Sequence, residues 1–143
     1  MAPRLRSLGE EIAKFLQIAK LDNLPEEVRL VLAFSAAEIA SAMIIASSGE
    51  KKLRAALCKM KSSRRINRAL AILKREGVLD QERYERLRRC LRALRCLRNS
   101  YLHPICVEKC PRLTIEEAIA CVEELAALAM EFARSRGWDL SCR

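Results

Sequence analysis

Apolar residues recur every three or four positions along most of the chain, and no run of five or more alternates apolar and polar residues as a half-buried strand does. This periodicity predicts an all-α protein. A first amphipathic helix covers about Leu5–Leu21. A second opens at Pro25, with acidic residues in its first turn where the helix dipole favours them, and runs to about Ser48.

The middle of the chain predicts a third helical region over Glu50–Glu76, interrupted at Ser62-Ser63, whose side chains are expected to cap its second half. Asp80 is a suitable cap for a fourth helix. That helix continues through Leu102 and ends at His103, because the following Pro104 disfavours helical geometry in the residue before it.

The last predicted helix is marked at both ends. Thr114-Ile-Glu-Glu117 is a capping box, and Gly137 stops the helix after about Arg136.

Aromatic residues make up 4% of the chain and there is a single Thr, so the side chains that sheets favour are scarce. Because the 143 residues contain no linker or repeat, we expect one domain, residues 1–143, folded as a bundle of about five helices.

The most apolar stretch runs from Leu30 to Ala46 and carries Glu38 near its middle. It is slightly shorter than the roughly 20 residues of a bilayer span, and a central charge there is costly. We therefore interpret it as the buried helix of a soluble, cytoplasmic protein with no membrane partner. The few Gln, Asn and Thr residues beside many Arg, Glu and Cys are typical of heat-adapted proteins.

The net charge of +9 is concentrated in one part of the chain. Residues 50–98 hold 17 Lys and Arg against five acidic residues, whereas the remainder is slightly acidic. Such a surface suits a phosphate backbone, because neutralised phosphates release counterions. RNA-binding residues are predicted in the third and fourth helices: Arg64, Arg65, Arg92 and Arg95. The alternatives are a solvated, ion-paired surface and a basic bundle that binds duplex DNA.

One cluster of candidate catalytic side chains lies at the end of the fourth helix. Arg98 falls on the apolar stripe of that helix, formed by Tyr84, Leu87, Leu91, Leu94 and Tyr101. Asn99 and His103, the single histidine, are four residues apart and share a face, with Arg95 one turn earlier. Arg98, Asn99 and His103 are therefore expected to converge where the helix ends. A plainer interpretation is that Arg98 and His103 cap a helix C-terminus, where cations are favoured.

The sequence Arg98-Asn99-Ser100-Tyr101-Leu102-His103 resembles the signature of the HEPN superfamily, an Arg, a polar residue that is often Asn, and a His at a helix end. The resemblance implies a small all-α domain that is a metal-independent endoribonuclease, with catalytic Arg98, Asn99 and His103 and no cofactor. It also implies a homodimer in which two Arg/His pairs form one composite site. A non-catalytic relative that binds RNA or a partner protein is the alternative.

One subgroup of this superfamily acts as a toxin beside a small nucleotidyltransferase and carries a Tyr two residues after the His, where inactivating modification occurs. That position here is Ile105. The resemblance therefore allows a toxin or defence component with an antitoxin or nucleotidyltransferase partner, but without this mode of control.

The seven cysteines leave several interpretations open. Cys106 and Cys110 lie in a loop with two prolines and are candidates for a disulfide, with each other or with Cys90, Cys96 or Cys142. A zinc set from His103, Cys106, Cys110 and a distant thiol, or free thiols throughout, are the alternatives. Cys58, Cys90 and Cys121 fit the apolar stripes as small core residues. Glu38 is expected to pair with Arg98 across the core.

Overall fold

The computed structural model describes residues 2–102 and 109–138, and within them it is all-helical, as predicted. The helices are α1 (Ala2–Ala19), α2 (Glu26–Ser47), α3 (Lys51–Ala56), α4 (Ser62–Arg75), α5 (Gln81–Leu102) and α6 (Ile115–Ser135), with a 3₁₀ turn at Leu57–Lys59. The predicted third region is thus two helices, which makes six helices in the described part instead of about five.

Helix α2 is the centre of the bundle and packs against α1, α4, α5 and α6. Half of its residues are buried, from Leu30 to Ser47. By length and composition this helix is apolar enough to cross a membrane, but most of it is enclosed by the other helices. Its apolar character is therefore accounted for by its position at the centre of the bundle.

The break before α4 differs from the predicted one. The helix begins after Lys61, which is in an extended conformation and makes no side-chain cap. Ser62 does not cap the helix; its hydroxyl instead donates to the Glu38 carboxylate at 2.8 Å. Because Glu38 is only partly exposed and interrupts an apolar helix, its carboxylate takes this donor in place of water.

The caps predicted at the starts of α5 and α6 are confirmed. Asp80 accepts a hydrogen bond from the Arg83 amide at 2.8 Å, and Thr114 accepts one from the Glu117 amide at 3.1 Å. Gly77 has a φ of +77° and ends α4, where the Val78 amide reaches back to the Leu73 carbonyl at 2.9 Å. The short turn that follows reverses the chain, so α4 and α5 form an antiparallel hairpin.

Removing the Thr114 hydroxyl will test the cap of α6. Thr114→Ala is expected to lower the free energy of unfolding by about 1 kcal/mol, because the Glu117 amide loses its acceptor. The measurement is chemical denaturation followed by circular dichroism. Thr114→Ser keeps the oxygen and should restore most of the loss; equal stability of the Ala and native proteins would contradict the assignment.

Candidate functional site

Arg98 occupies the core-facing stripe of α5, as the sequence predicts. Leu87, Leu91 and Leu94 on that stripe are fully buried, and Arg98 follows one turn later. Its guanidinium carbon lies 4.4 Å from the centroid of the buried Phe34 ring on α2, in a cation–π contact. Its Nε is buried and has no hydrogen-bond partner in the described part of the chain. The α2–α5 interface therefore holds a cation against an aromatic face.

The expected pair between Glu38 and Arg98 is wrong. The Glu38 carboxylate accepts a hydrogen bond from Ser62 and lies 3.6 Å from the Arg65 guanidinium, so both of its partners belong to α4. The reason is geometric: the first turn of α4 supplies both donors next to Glu38, whereas Arg98 meets α2 one turn earlier, at Phe34. No carboxylate within residues 7–102 and 109–138 forms an ion pair with Arg98.

The structure describes only one of the other two motif residues, Asn99 and His103. Asn99 is half-buried on the last turns of α5, and the helix continues through Leu102 as predicted. His103 follows directly and lies outside the described residues, so its convergence with Arg98 and Asn99 stays a prediction.

A disulfide joins Cys96 of α5 to Cys110 in the segment before α6, with the two Cα atoms 5.6 Å apart. This is one of the pairings that the sequence left open. Because Cys110 is oxidised, it cannot serve as the thiolate in the zinc set considered with His103 and Cys106. Within the described residues no group of three metal-binding side chains is present, and Cys106 and Cys142 lie outside them.

The arginines of α5 that face α6 are already paired. Arg83 and Arg86 both donate to the Glu124 carboxylate, at 3.0 Å and 2.8 Å. Hydrogen bonds from Arg86 and then Arg83 hold the pKa of Glu124 below its usual range, although partial burial opposes the shift. This part of the basic sequence is structural, as the ion-paired alternative proposed.

Four other arginines on α5 have no carboxylate partner within the described residues: Arg88, Arg89, Arg92 and Arg95. Arg92 and Arg95 are exposed. The spacing of Arg88, Arg92, Arg95 and Asn99 places them on one face of the continuous helix. A row of unpaired cations therefore leads along α5 to the candidate motif.

The two predicted RNA-binding arginines on α4 differ in their surroundings. Arg64 is exposed, beside Asn67 and Arg68 in a shallow cavity of about 410 Å³. Arg65 is half-buried, pairs with Glu38, and donates its Nε to the Leu57 carbonyl at 3.2 Å. Arg64 is thus available to a ligand without breaking an existing contact, whereas Arg65 is engaged in the structure.

An apolar surface that the sequence did not reveal lies at the end of α5. Tyr101 is 39% exposed and Leu102 50% exposed, and with Val28 they line a cavity of about 340 Å³ that also includes Val31 and Leu32. The expectation that Tyr101 continues the buried stripe is wrong, because only the first turns of α2 lie opposite it. Partial burial, followed by the nearby carboxylates of Glu26 and Glu27, raises the pKa of Tyr101.

The three cysteines predicted as core residues also differ from one another. Cys121 is buried as expected, Cys90 is half-buried, and Cys58 is exposed on the 3₁₀ turn. The interpretation of Cys58 as a core residue is wrong, because this short turn buries none of its side chains.

Comparison of the chain with protein-family models, with curated proteins and with solved structures found no match. The resemblance to the HEPN superfamily therefore rests on the motif residues and the helical architecture.

Neutralising Glu124 will test its pairing with the two arginines. Glu124→Gln is expected to cost about 1 kcal/mol of unfolding free energy at neutral pH, the upper end for partly exposed ion pairs, because one carboxylate serves two guanidinium groups. The folded-state pKa of Glu124 is lowered, so this stability is present above the unfolded-state pKa and is lost as pH falls. The difference between variant and native protein should accordingly shrink in acid.

Glu123→Gln is the matched control, since among the described residues Glu123 pairs with the exposed Lys20 alone. We expect it to change stability by less than about 0.5 kcal/mol. A loss for Glu124→Gln that is independent of pH would contradict the account, as would equal effects of the two variants.

Proposed function

We propose that this protein is a HEPN-type, metal-independent endoribonuclease that cleaves single-stranded RNA at a composite site formed by two copies of the chain. Arg98, Asn99 and His103 are its catalytic residues. The protein then acts in the cytoplasm, as a toxin or defence component whose partner is an antitoxin or nucleotidyltransferase.

The main support for the proposal is that Arg98 is partly buried and has no carboxylate partner among the described residues. A partly buried guanidinium normally takes a carboxylate partner, as Arg65 and Arg83 do here. Arg98 instead lies on an aromatic ring, and no acid of the described chain neutralises it. A positive charge held in one orientation and left without a counter-ion suits a phosphate oxygen, because the guanidinium fork matches the geometry of a phosphate.

The chemistry requires little more than the three motif residues in two copies. Attack of a ribose 2′-hydroxyl on the adjacent phosphate needs a proton acceptor, a proton donor for the leaving 5′-oxygen and stabilisation of charge on the phosphorane. Histidine titrates in the useful range and takes one proton-transfer role, while Arg98 stabilises the charge. Because each chain has a single His, the second proton-transfer group comes from the other subunit.

The arrangement of charge supports RNA as the substrate. Arg92 and Arg95 are exposed and unpaired along α5 within the described chain, on the face that leads to Asn99. A phosphate backbone lying on this row reaches the motif at its end, with Arg64 on the neighbouring helix as a further contact. Each neutralised phosphate releases counterions, so binding should weaken as salt is raised.

The apolar surface of Tyr101, Leu102 and Val28 supports a homodimer centred on the site. It begins two residues after Asn99, so a second copy that covers it brings its own motif close to the first. Exposed leucine beside an exposed aromatic residue is typical of an interface centre.

Cleavage of single-stranded RNA in EDTA is the direct test. Native protein should cut the RNA without a divalent metal, and Arg98→Ala and His103→Ala should each lower the rate at least about 100-fold. Products are separated on denaturing gels and examined for 2′,3′-cyclic phosphate ends.

Arg54→Ala is the matched control, because Arg54 also has a buried Nε without a partner in the described chain. It donates to the Ala46 carbonyl, about 18 Å along α2 from Phe34. Arg54→Ala should cleave at the native rate. Intact RNA with native protein, or equal cleavage by all four proteins, would contradict the catalytic assignment.

Charge placed in the apolar surface will test the dimer. Leu102→Glu should convert the protein to a monomer and remove RNA cleavage together, whereas Gln17→Glu, which adds the same charge to the exposed surface of α1, should do neither. Mass in solution is measured by light scattering. A monomeric native protein, or a Leu102→Glu monomer that still cleaves, would contradict a composite site.

The second candidate is a non-catalytic helical module of the same architecture that binds RNA or a partner protein. The row of arginines without carboxylate partners in the described chain supports this candidate as well as it supports the nuclease. It predicts salt-dependent binding of single-stranded RNA that Arg92→Ala and Arg95→Ala weaken, without cleavage.

A further inference from the structure

Helices α5 and α6 run antiparallel and are fastened to each other at two levels. Arg83 and Arg86 bind Glu124 at one end, and Cys96 is joined to Cys110 at the other. Between these levels the helices enclose a cavity of about 580 Å³, which the candidate RNA site does not use. This volume is in the range of sites that bind small molecules.

Two free thiols share this cavity at its middle. Cys90 of α5 is half-buried, with its Sγ 3.9 Å from the Glu117 carbonyl oxygen, and Cys121 lies one turn after Glu117 on α6. The Cys121 thiol is buried and lines the same cavity as Cys90. The accessible Cys90 thiol therefore shares the cavity with a second, buried thiol from the facing helix.

The surroundings distinguish the two thiols. The hydrogen bond from Cys121 lowers the pKa of Cys90, with a smaller contribution in the same direction from Arg86, against the opposing effects of burial, Glu117 and Glu124. The same hydrogen bond, and burial, raise the pKa of Cys121. Cys90 is also the more exposed of the two thiols, so it is assigned the role of the nucleophile.

The lining of the cavity carries more positive than negative charge. Arg86, Arg89 and Arg112 line it, together with Glu117 and Glu124. Arg86 is engaged by Glu124, whereas the exposed Arg89 and Arg112 have no carboxylate partner within the described chain. These two cations suit a small ligand that bears carboxylates.

We propose that Cys90 and Cys121 form a thiol–disulfide exchange site for a low-molecular-weight disulfide that carries carboxylates. Cys90 loses its proton to solvent, and its sulfur attacks one sulfur of the ligand. The ligand S–S bond breaks, a mixed disulfide forms on Cys90, and the first small thiolate leaves.

Cys121 completes the exchange. It loses its proton, its sulfur attacks the Cys90 sulfur, and the second small thiolate is displaced as the Cys90–Cys121 bond forms. Two protein thiols are thereby oxidised by two electrons, the small disulfide is reduced to two thiols, and the two protons released are those that the leaving thiolates take up. The new bond would fasten α5 to α6 at a third level, between the Glu124 pairs and Cys96–Cys110.

The experiment uses the full-length protein and oxidised glutathione as the probe. After incubation, remaining thiols are alkylated, and disulfides are mapped by mass spectrometry of unreduced peptides. The native protein should lose two hydrogen atoms at a Cys90–Cys121 link. Cys121→Ala or Cys121→Ser should stop at one glutathione on Cys90, and Cys90→Ala should leave Cys121 as a free thiol.

Cys58 is the internal control, since it is an exposed thiol. It should take up glutathione alike in the native protein and in all three variants, which shows that the reagent is active. The proposal is overturned if Cys90 stays free while Cys58 is modified, if Cys90 keeps glutathione while Cys121 is alkylated, or if Cys90 is joined to any cysteine other than Cys121. Mapping of the native protein decides between these outcomes even if a variant fails to fold.

Discussion

The burial of α2 is the constraint on which the rest of the structure depends. A 22-residue helix with few polar side chains must be covered on most of its circumference, and four other helices of the bundle pack against it. Two side chains of α2, Glu38 and Phe34, then find their partners on particular neighbouring helices. Glu38 takes donors from α4, and Phe34 takes the guanidinium of α5. The position of Arg98 is therefore a consequence of how the central helix is enclosed.

The same packing divides the arginines of α5 into groups with different roles. On the side facing α6, Arg83 and Arg86 serve Glu124 and hold two helices together. On the other side, Arg92 and Arg95 face solvent without acidic partners among the described residues. Sequence composition alone cannot separate these groups, since both belong to one run of basic residues. The three-dimensional contacts assign the first to stability and leave the second available to a polyanion.

Local signals in the sequence predicted the helix ends and failed where tertiary contacts decide. Asp80 and Thr114 cap helices as predicted, because a cap depends on the next three residues. Ser62 was expected to cap α4 in the same way, but its hydroxyl instead donates a hydrogen bond to Glu38, which is distant in sequence. The position of Cys90 and Cys121 in one cavity depends on the antiparallel register of α5 and α6, which no periodicity reveals. For the candidate site, the stripe predicted the partly buried position of Arg98 but not its aromatic partner.

The proposed function requires Arg98 to be a fixed cation, open to phosphate, at the end of the basic row. Binding of a single-stranded 2′-O-methyl RNA, which lacks the attacking hydroxyl, measures this without catalysis. Arg98→Ala is expected to weaken binding about tenfold at moderate salt, equivalent to about 1.4 kcal/mol, and to lower the salt dependence by about one phosphate contact. Arg54→Ala should bind as native protein does. Equal affinity and equal salt dependence for native protein and Arg98→Ala would contradict a phosphate contact at Arg98.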